Sequence, residues 1–228
     1  MGVALSGIQV CVFDAYGTLF DFGSAVARHR AALGPQADAL SALWRDKQIQ
    51  YTWLRNGMGA YAPFWQVTGE ALDHCLAVHA VDDAAVRDKL MDAYLALDTF
   101  PEVPATLAAL RRAGMRCAIL SNGNPEMLAP MVASSGIADQ FEAVLSVDAA
   151  QVFKPDRRVY ALVETRCAVK PENVCFLSAN CWDAHGAAHF GFATVWINRG
   201  GMPDDRVPGK LAAEIRDLSQ LPALLGVA

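Results

Sequence analysis

Four short polar strings each follow an apolar run, and each carries side chains able to do chemistry. Asp14-Ala15-Tyr16-Gly17-Thr18 follows Val10–Phe13, and Ser121-Asn122-Gly123-Asn124 follows Met115–Leu120. Lys154-Pro155-Asp156 comes a brief loop after Ala143–Val147, and Ser178-Ala179-Asn180-Cys181-Trp182-Asp183 follows Val174–Leu177. Asp14, at the end of a buried run, can serve as nucleophile, metal ligand or base. A second acid two residues on would complete a phosphate-handling site, but Tyr16 stands there. Lys154 is a cation able to keep a nearby carboxylate ionised, and Asp183 is a second acid able to act as a base. Alone, a Lys-Pro or Ser-Asn-Gly string is a turn. Four such sets at successive strand ends converge on one crevice if the sheet is parallel.

The elements that must position them follow from hydrophobic patterning. The four runs, with Ala193–Ile197 as a fifth, are short, nearly continuous and bounded by turn residues, as in strands buried on both faces of a parallel sheet. Helix-like stretches at Pro104–Ala113, Pro125–Ser135, Asp156–Cys167 and Trp182–Phe190 separate them. The alternation predicts right-handed βαβ units in a Rossmann-like, doubly wound α/β core. Residues 14–114 separate the first two strands, far more than a crossover needs. Within them, Ala25–Leu97 looks all-helical, with Leu40, Leu43, Trp44, the Lys47 stem, Tyr51 and Leu54 forming one apolar stripe. The expected division is an α/β core of residues 1–20 plus 99–228 and an inserted α-helical cap lobe of 21–98. Such a lobe would overhang the carboxyl ends of the strands, where ligands bind in open sheets.

Composition excludes some classes. Hydrophobic residues at 54% against 19% charged allow a large core, so the chain is not of the disordered class. The net charge of −5, without a basic run, argues against nucleic acid as partner. The six cysteines form no CxxC pair, and no zinc site is expected from them. Cys11, Cys117 and Cys175 lie in strand-like runs and read as reduced core thiols, which suits a cytoplasmic protein. No stretch is apolar for the length of a membrane span, and Met1–Leu5 lacks a basic n-region. Met1-Gly2-Val3-Ala4-Leu5-Ser6 fits a myristoylation pattern but reads as a tail leading into the first strand. Gly57-Met58-Gly59-Ala60-Tyr61-Ala62 fits a loose dinucleotide fingerprint, yet follows a helix-like stretch and reads as a helix-ending loop.

The chain resembles the haloacid dehalogenase-like superfamily, and within it the L-2-haloacid dehalogenases. Asp14, Thr18, Ser121, Lys154 and Asp183 match the superfamily pattern. The dehalogenase branch is matched by Trp44-Arg45-Asp46-Lys47-Gln48-Ile49-Gln50-Tyr51-Thr52-Trp53-Leu54-Arg55, by Ser178–Asp183 and by Phe190-Gly191-Phe192. Phosphatases of the superfamily need Mg²⁺ and a leaving-group acid. The corresponding positions here carry Ala179 and Tyr16; an alanine side chain offers no oxygen to a hard cation, and a tyrosine is a poor acid at neutral pH. Halide needs no proton to leave, and displacement at carbon needs no metal.

The resemblance therefore implies hydrolysis of a 2-haloalkanoate through an ester on Asp14, with water as co-substrate and no cofactor or metal. Asp183 would activate the water, and Lys154 would keep Asp14 ionised. Thr18, Ser178 and Asn180 would hydrogen-bond Asp14, and Arg45 would meet the halide. Ser121, Asn122 and the N–H groups near Ala15 and Tyr16 would bind the substrate. Tyr16, Phe64 and Trp182 would form its apolar wall, although Phe64 and Trp182 read equally as core contacts. Tyr160 has two readings, site residue or helix aromatic packed on the sheet. Asp46 and His185 depart from the family pattern. Alternatives are a phosphatase with an altered metal site and a small-acid binder. The resemblance also implies a homodimer, for whose interface the cap-lobe aromatics Trp53 and Trp65 are candidates.

Overall fold

The computed structural model describes residues 5–227, so most of the myristoylation-like string lies outside the described residues. The chain runs β1 (Val10–Phe13), β2 (Phe20–Asp21), α1 (Gly23–Arg28), α2 (Arg30–Leu33), α3 (Ala37–Met58), α4 (Phe64–Val78), α5 (Ala84–Tyr94) and β3 (Asp98–Thr99). It continues α6 (Val103–Arg112), β4 (Arg116–Ser121), α7 (Pro125–Ser134), β5 (Ala143–Ser146), α8 (Arg157–Cys167), β6 (Val174–Ser178), α9 (Cys181–Phe190), β7 (Ala193–Ile197), β8 (Ala213–Ile215) and α10 (Leu221–Leu224). Six strands form one parallel sheet in the order β5-β4-β1-β6-β7-β8. Every residue of β1 and β6 is fully buried, so both faces of the sheet centre are covered, as their unbroken apolar runs require. This is the Rossmann-like α/β architecture.

The strand order fixes where a ligand can bind. β1 pairs with β4 on one side and β6 on the other, and the chain winds outward in both directions from it. The crevice of an open α/β sheet lies at that switch point, beyond the carboxyl ends of the strands. Phe13 stands level with Ile119 of β4 and Leu177 of β6. Asp14 and Ser178 follow at once, and Ser121 ends β4 two residues past Ile119.

All regular structure between Gly23 and Tyr94 is helical, and the antiparallel β2–β3 ribbon brackets it, with Phe20 opposite Thr99 and Asp21 opposite Asp98. α3 packs along α4, and its buried residues are Ala37, Leu40, Trp44, Gln48, Ile49 and Thr52. This corrects the stripe read from the sequence. The helix turns Leu54 outward, 48% exposed, and buries the polar Gln48 and Thr52 instead, because both find hydrogen-bond partners inside. α3 ends at Met58, and Gly59 takes the left-handed cap (φ 65°), so the glycine-rich string there is a helix terminator.

Candidate active site

Lys154 joins the two acids. Its buried ammonium lies 3.0 Å from Asp14 Oδ1 and 2.9 Å from Asp183 Oδ2, and 5.0 Å from the Phe176 ring centroid. The three side chains are almost wholly removed from solvent. Burial alone pulls the lysine down, but the two carboxylates outweigh it and leave its pKa raised. For Asp183, burial raises the pKa and Lys154 only partly offsets it.

The other Asp14 oxygen is held from two sides. Thr18 Oγ1 donates to Asp14 Oδ2 at 3.1 Å, and Asn180 Nδ2 donates to it at 2.8 Å. Thr18 Oγ1 in turn accepts the Ala179 N–H at 2.9 Å. Asn180 Oδ1 accepts from Arg45 Nη2 at 3.1 Å, so a cation from α3 reaches the Asp14 cluster through one amide. Arg45 also donates to the Tyr16 carbonyl at 3.4 Å and stacks 5.0 Å from the Phe22 ring centroid. Tyr160 both reaches Asp183 and packs on the sheet. Its hydroxyl donates to Asp183 Oδ1 at 2.8 Å, while its ring packs against Phe176, Phe190 and Phe192.

One predicted contact is corrected. Ser178 Oγ accepts the Asn180 N–H at 3.1 Å instead of bonding Asp14; it shapes the turn that presents Asn180. Ser121 Oγ likewise accepts the Gly123 N–H at 3.0 Å, which leaves its own hydrogen free to donate. Asn122 Oδ1 accepts the Lys154 N–H at 3.0 Å, so it pins the lysine loop while its amide nitrogen stays free. Phe64 is fully buried against Tyr16 (5.7 Å between ring centroids) and Phe153. Trp182 is half-buried and meets Trp53 edge-on at 5.3 Å. Those two rings, with Arg45, Asp46 and Asn180, line an open groove of about 570 Å³.

Tyr16 is more than a wall. Its hydroxyl is buried without a partner among the described residues, although a buried hydroxyl normally finds one. It lies so close to Gly123 that a Cβ there would stand 2.8 Å from the oxygen. Both burial and the neighbouring Tyr94 keep the phenol protonated, well above the usual range.

Three amides were given no role by sequence reasoning: Gln48, which braces Arg45 within the helical lobe, and Asn56 and Asn124, which tie that lobe to the core. Gln48 Oε1 accepts from Arg45 Nη1 at 2.7 Å and from the Tyr94 hydroxyl at 3.1 Å, and its amide donates to Thr68. Asn56 exchanges two hydrogen bonds with the Phe153 backbone, at 2.8 and 2.9 Å, just before Lys154. Asn124 Oδ1 accepts the Trp65 N–H at the start of α4. The sequence signal was a pair of polar residues, Gln48 and Thr52, among the apolar residues of the buried face of α3.

The Mg²⁺ site of related phosphatases does not fit this cluster. Ala179 presents only a backbone N–H toward it, and the Lys154 ammonium already bridges the two acids that a cation would bridge.

A parallel sheet with a buried carboxylate pair at its switch point and a helical lobe above it defines a capped α/β hydrolase. The chain belongs to the haloacid dehalogenase-like hydrolases, whose family model matches residues 8–191. It is 44% identical over 219 residues to (S)-2-haloacid dehalogenase 1 of Pseudomonas sp. (strain CBS-3), covering 96% of each chain. A crystal structure described as a dehalogenase superposes with a TM-score of 0.94 at 44% identity, over 96% of this chain and 98% of that one. The L-2-haloacid dehalogenase of Xanthobacter autotrophicus, solved with chloropropionic acid covalently bound, gives a TM-score of 0.89 at 37% identity, over 96% and 98%.

Proposed function

We infer that this protein hydrolyses short L-2-haloalkanoates to D-2-hydroxy acids and halide. The Lys154 ammonium seated between Asp14 and Asp183, beside a position 179 that offers no side-chain oxygen, carries this reading. Such a site keeps a carboxylate nucleophile ionised without recruiting a cation. The covalent chloropropionate adduct of the Xanthobacter relative supports an ester intermediate.

The geometry supports the following steps. An Asp14 oxygen displaces halide from the α-carbon from the opposite side, forming a carbon–oxygen bond and inverting the centre. Arg45 receives the halide as a fixed cation. Water, deprotonated by Asp183, then attacks the Asp14 carbonyl carbon. The hydroxy acid leaves with the original Asp14 oxygen and takes up the proton. Thr18 and Asn180 hold the carboxylate in one rotamer, which supplies orientation, and Tyr160 fixes Asp183. The Ser121 hydroxyl and the Asn122 amide are offered to the substrate carboxylate. So are the Ala15 and Tyr16 N–H groups, which find no backbone acceptor among the described residues. Residues 21–98 act as the cap that supplies Arg45, Phe64 and the Trp53 groove. We place the protein in the cytoplasm as a homodimer, a reading supported by six free cysteines and by the exposed Trp53, Leu54 and Met58 along α3. No described helix is long and apolar enough to cross a membrane.

Incubation with racemic 2-chloropropionate and excess chelator tests the reading. Chloride release with D-lactate as product is expected. Turnover confined to phosphate esters with Mg²⁺, or tight binding without turnover, would overturn it.

Asp183 must be ionised to accept a proton, and its pKa is raised. The acid limb of kcat should therefore lie above the ordinary aspartate value of about 3.9, with activity lost as pH falls through it. Lys154, also raised, sets no limb below the ordinary lysine range. A pH–rate profile of steady-state turnover checks both. Tyr16→Phe should raise KM by about tenfold, the worth of one hydrogen bond to a charged group, with the fold unharmed because the lost hydroxyl has no partner among the described residues. An unchanged KM would mean that the hydroxyl does not meet substrate.

A further inference from the structure

Cys181 and His185 are four residues apart on α9 and share one face of the helix, whereas Asp183 between them points the other way, to Lys154. The loop between β7 and β8 passes over that shared face. Asp204 brings its Oδ1 to 2.7 Å from His185 Nε2 and 3.4 Å from Cys181 Sγ. The three ligand atoms lie within 4.8 Å of one another. The loop is pressed tightly here: Gly209 (φ 123°) has no room for a side chain, since a Cβ would collide with the His185 carbonyl oxygen.

His185 is the telling residue. It is 4% exposed, and each ring nitrogen faces an oxygen acceptor: Nδ1 the Gly209 carbonyl at 2.8 Å, Nε2 the Asp204 carboxylate. A neutral imidazole carries one N–H and cannot serve both. With Nδ1–H donating to Gly209, Nε2 turns a lone pair toward the Asp204 carboxylate, a pairing that a cation between them would satisfy. That arrangement is how metal-bound histidines are held, with the far nitrogen donating to a backbone carbonyl that fixes the tautomer. Thiol, imidazole and carboxylate together suit zinc above the hard cations. Asp204 is largely exposed, so a cation has a path in and a water can complete four ligands.

We propose that Cys181, His185 and Asp204 form a zinc site that clips the β7–β8 loop onto the first turn of α9. Sequence reading for paired cysteine motifs passes over it, because the third ligand comes from a loop and the first two are set by helix pitch. Binding replaces the Cys181 thiol proton, which is released to solvent as the sulfur–zinc bond forms. A tetrahedral ion needs its ligands roughly 3.3–3.7 Å apart, so the Asp204 carboxylate swings out slightly from His185. The site is structural: it faces away from Asp14 and takes no part in halide release.

The test uses the full chain, stripped with chelator and titrated with Co²⁺, then Zn²⁺. Expected are a thiolate-to-cobalt charge-transfer band at one equivalent, its loss on adding one equivalent of Zn²⁺, and a Tm higher by about 5–10 °C with Zn²⁺ at a hundredfold excess over Kd. Cys181→Ser should remove the band; His185→Ala and Asp204→Asn should weaken binding at least about tenfold. Cys75→Ser should leave the band intact, the other five cysteines being buried. No band, a band that survives Cys181→Ser, or affinity untouched by Asp204→Asn would overturn the proposal and leave the cluster as a hydrogen-bonded ion pair. Asp204 is exposed, so its variant remains decisive if His185→Ala fails to fold.

Discussion

Asp14→Asn releases halide at least roughly 10⁴-fold more slowly than the wild type, the scale on which a lost nucleophile is felt. The substitution exchanges one oxygen for an amide nitrogen. The carbonyl oxygen that remains stays within reach of Thr18 and Asn180, and Lys154 keeps its contact with Asp183, so the fold and the substrate pocket survive. What is lost is the anionic oxygen that forms the bond to carbon. Chloride electrode traces on 2-chloropropionate, with circular dichroism to confirm folding, read the result. Single turnover of the wild type in ¹⁸O-water supplies the complement. Attack of water on the Asp14 carbonyl leaves one heavy oxygen in the peptide that contains Asp14. Label found only in lactate would mean that water attacks the substrate carbon directly and would remove the ester from the pathway, as would near-normal turnover by Asp14→Asn.

How far the sequence foretold the molecule depended on how local each feature was. β1, β4, β6 and β7 were placed within a residue or so, because strands buried on both faces must be largely apolar; β5, at the sheet edge with Val144 exposed, was found by its apolar run alone. β8 was not seen: it is three residues at the sheet edge, with Glu214 exposed in its centre, and no hydrophobic period fits in three residues. The β2–β3 ribbon, two residues a side, escaped for the same reason. The site residues were readable as types at strand ends, but their partners were not. Ser178 was expected to reach Asp14, yet the turn it begins takes its oxygen first. The roles of Asn56 and Asn124 could not be read because their partners lie on distant segments; the Asn56–Phe153 pair spans 97 residues of chain.

Those bonds show how the cap, which contributes Arg45, also steadies core groups that it does not contain. Asn56 fixes the backbone just before Lys154, and Asn122 fixes Lys154 itself. Arg45 is braced by Gln48, which is braced by Thr68 and Tyr94. Each charged group that touches the Asp14 cluster is thus oriented by a buried amide. Amides suit that place: they hold direction without adding charge to a site whose balance is already set by one lysine and two aspartates.

That balance makes Lys154→Met the second large effect. Methionine fills the volume of the lysine stem but leaves Asp14 and Asp183 facing each other in a water-poor site. Removing one partner of a buried ion pair costs about 3–5 kcal/mol, and two close carboxylates cannot both remain ionised, so the pair takes up a proton. If Asp14 holds it the nucleophile is lost; if Asp183 holds it the base proposed for the water step is lost. Turnover should fall by about 10³-fold or more, the combined scale of electrostatic and general-base contributions. The pH dependence distinguishes this from simple misfolding. The shared proton raises a carboxylate pKa in the folded variant above its unfolded value. Stability that depends on that proton is present at low pH and is lost as pH rises through the folded value. The variant should therefore approach the wild-type Tm in acid and fall away from it toward neutral pH, while its residual activity climbs over the same range. Adding Asp183→Asn should restore much of the neutral-pH Tm without restoring turnover, since it removes one of the opposed charges but also the base. A Tm deficit independent of pH, or a double variant no more stable than the single, would show that Lys154 acts by packing and not by holding two like charges together.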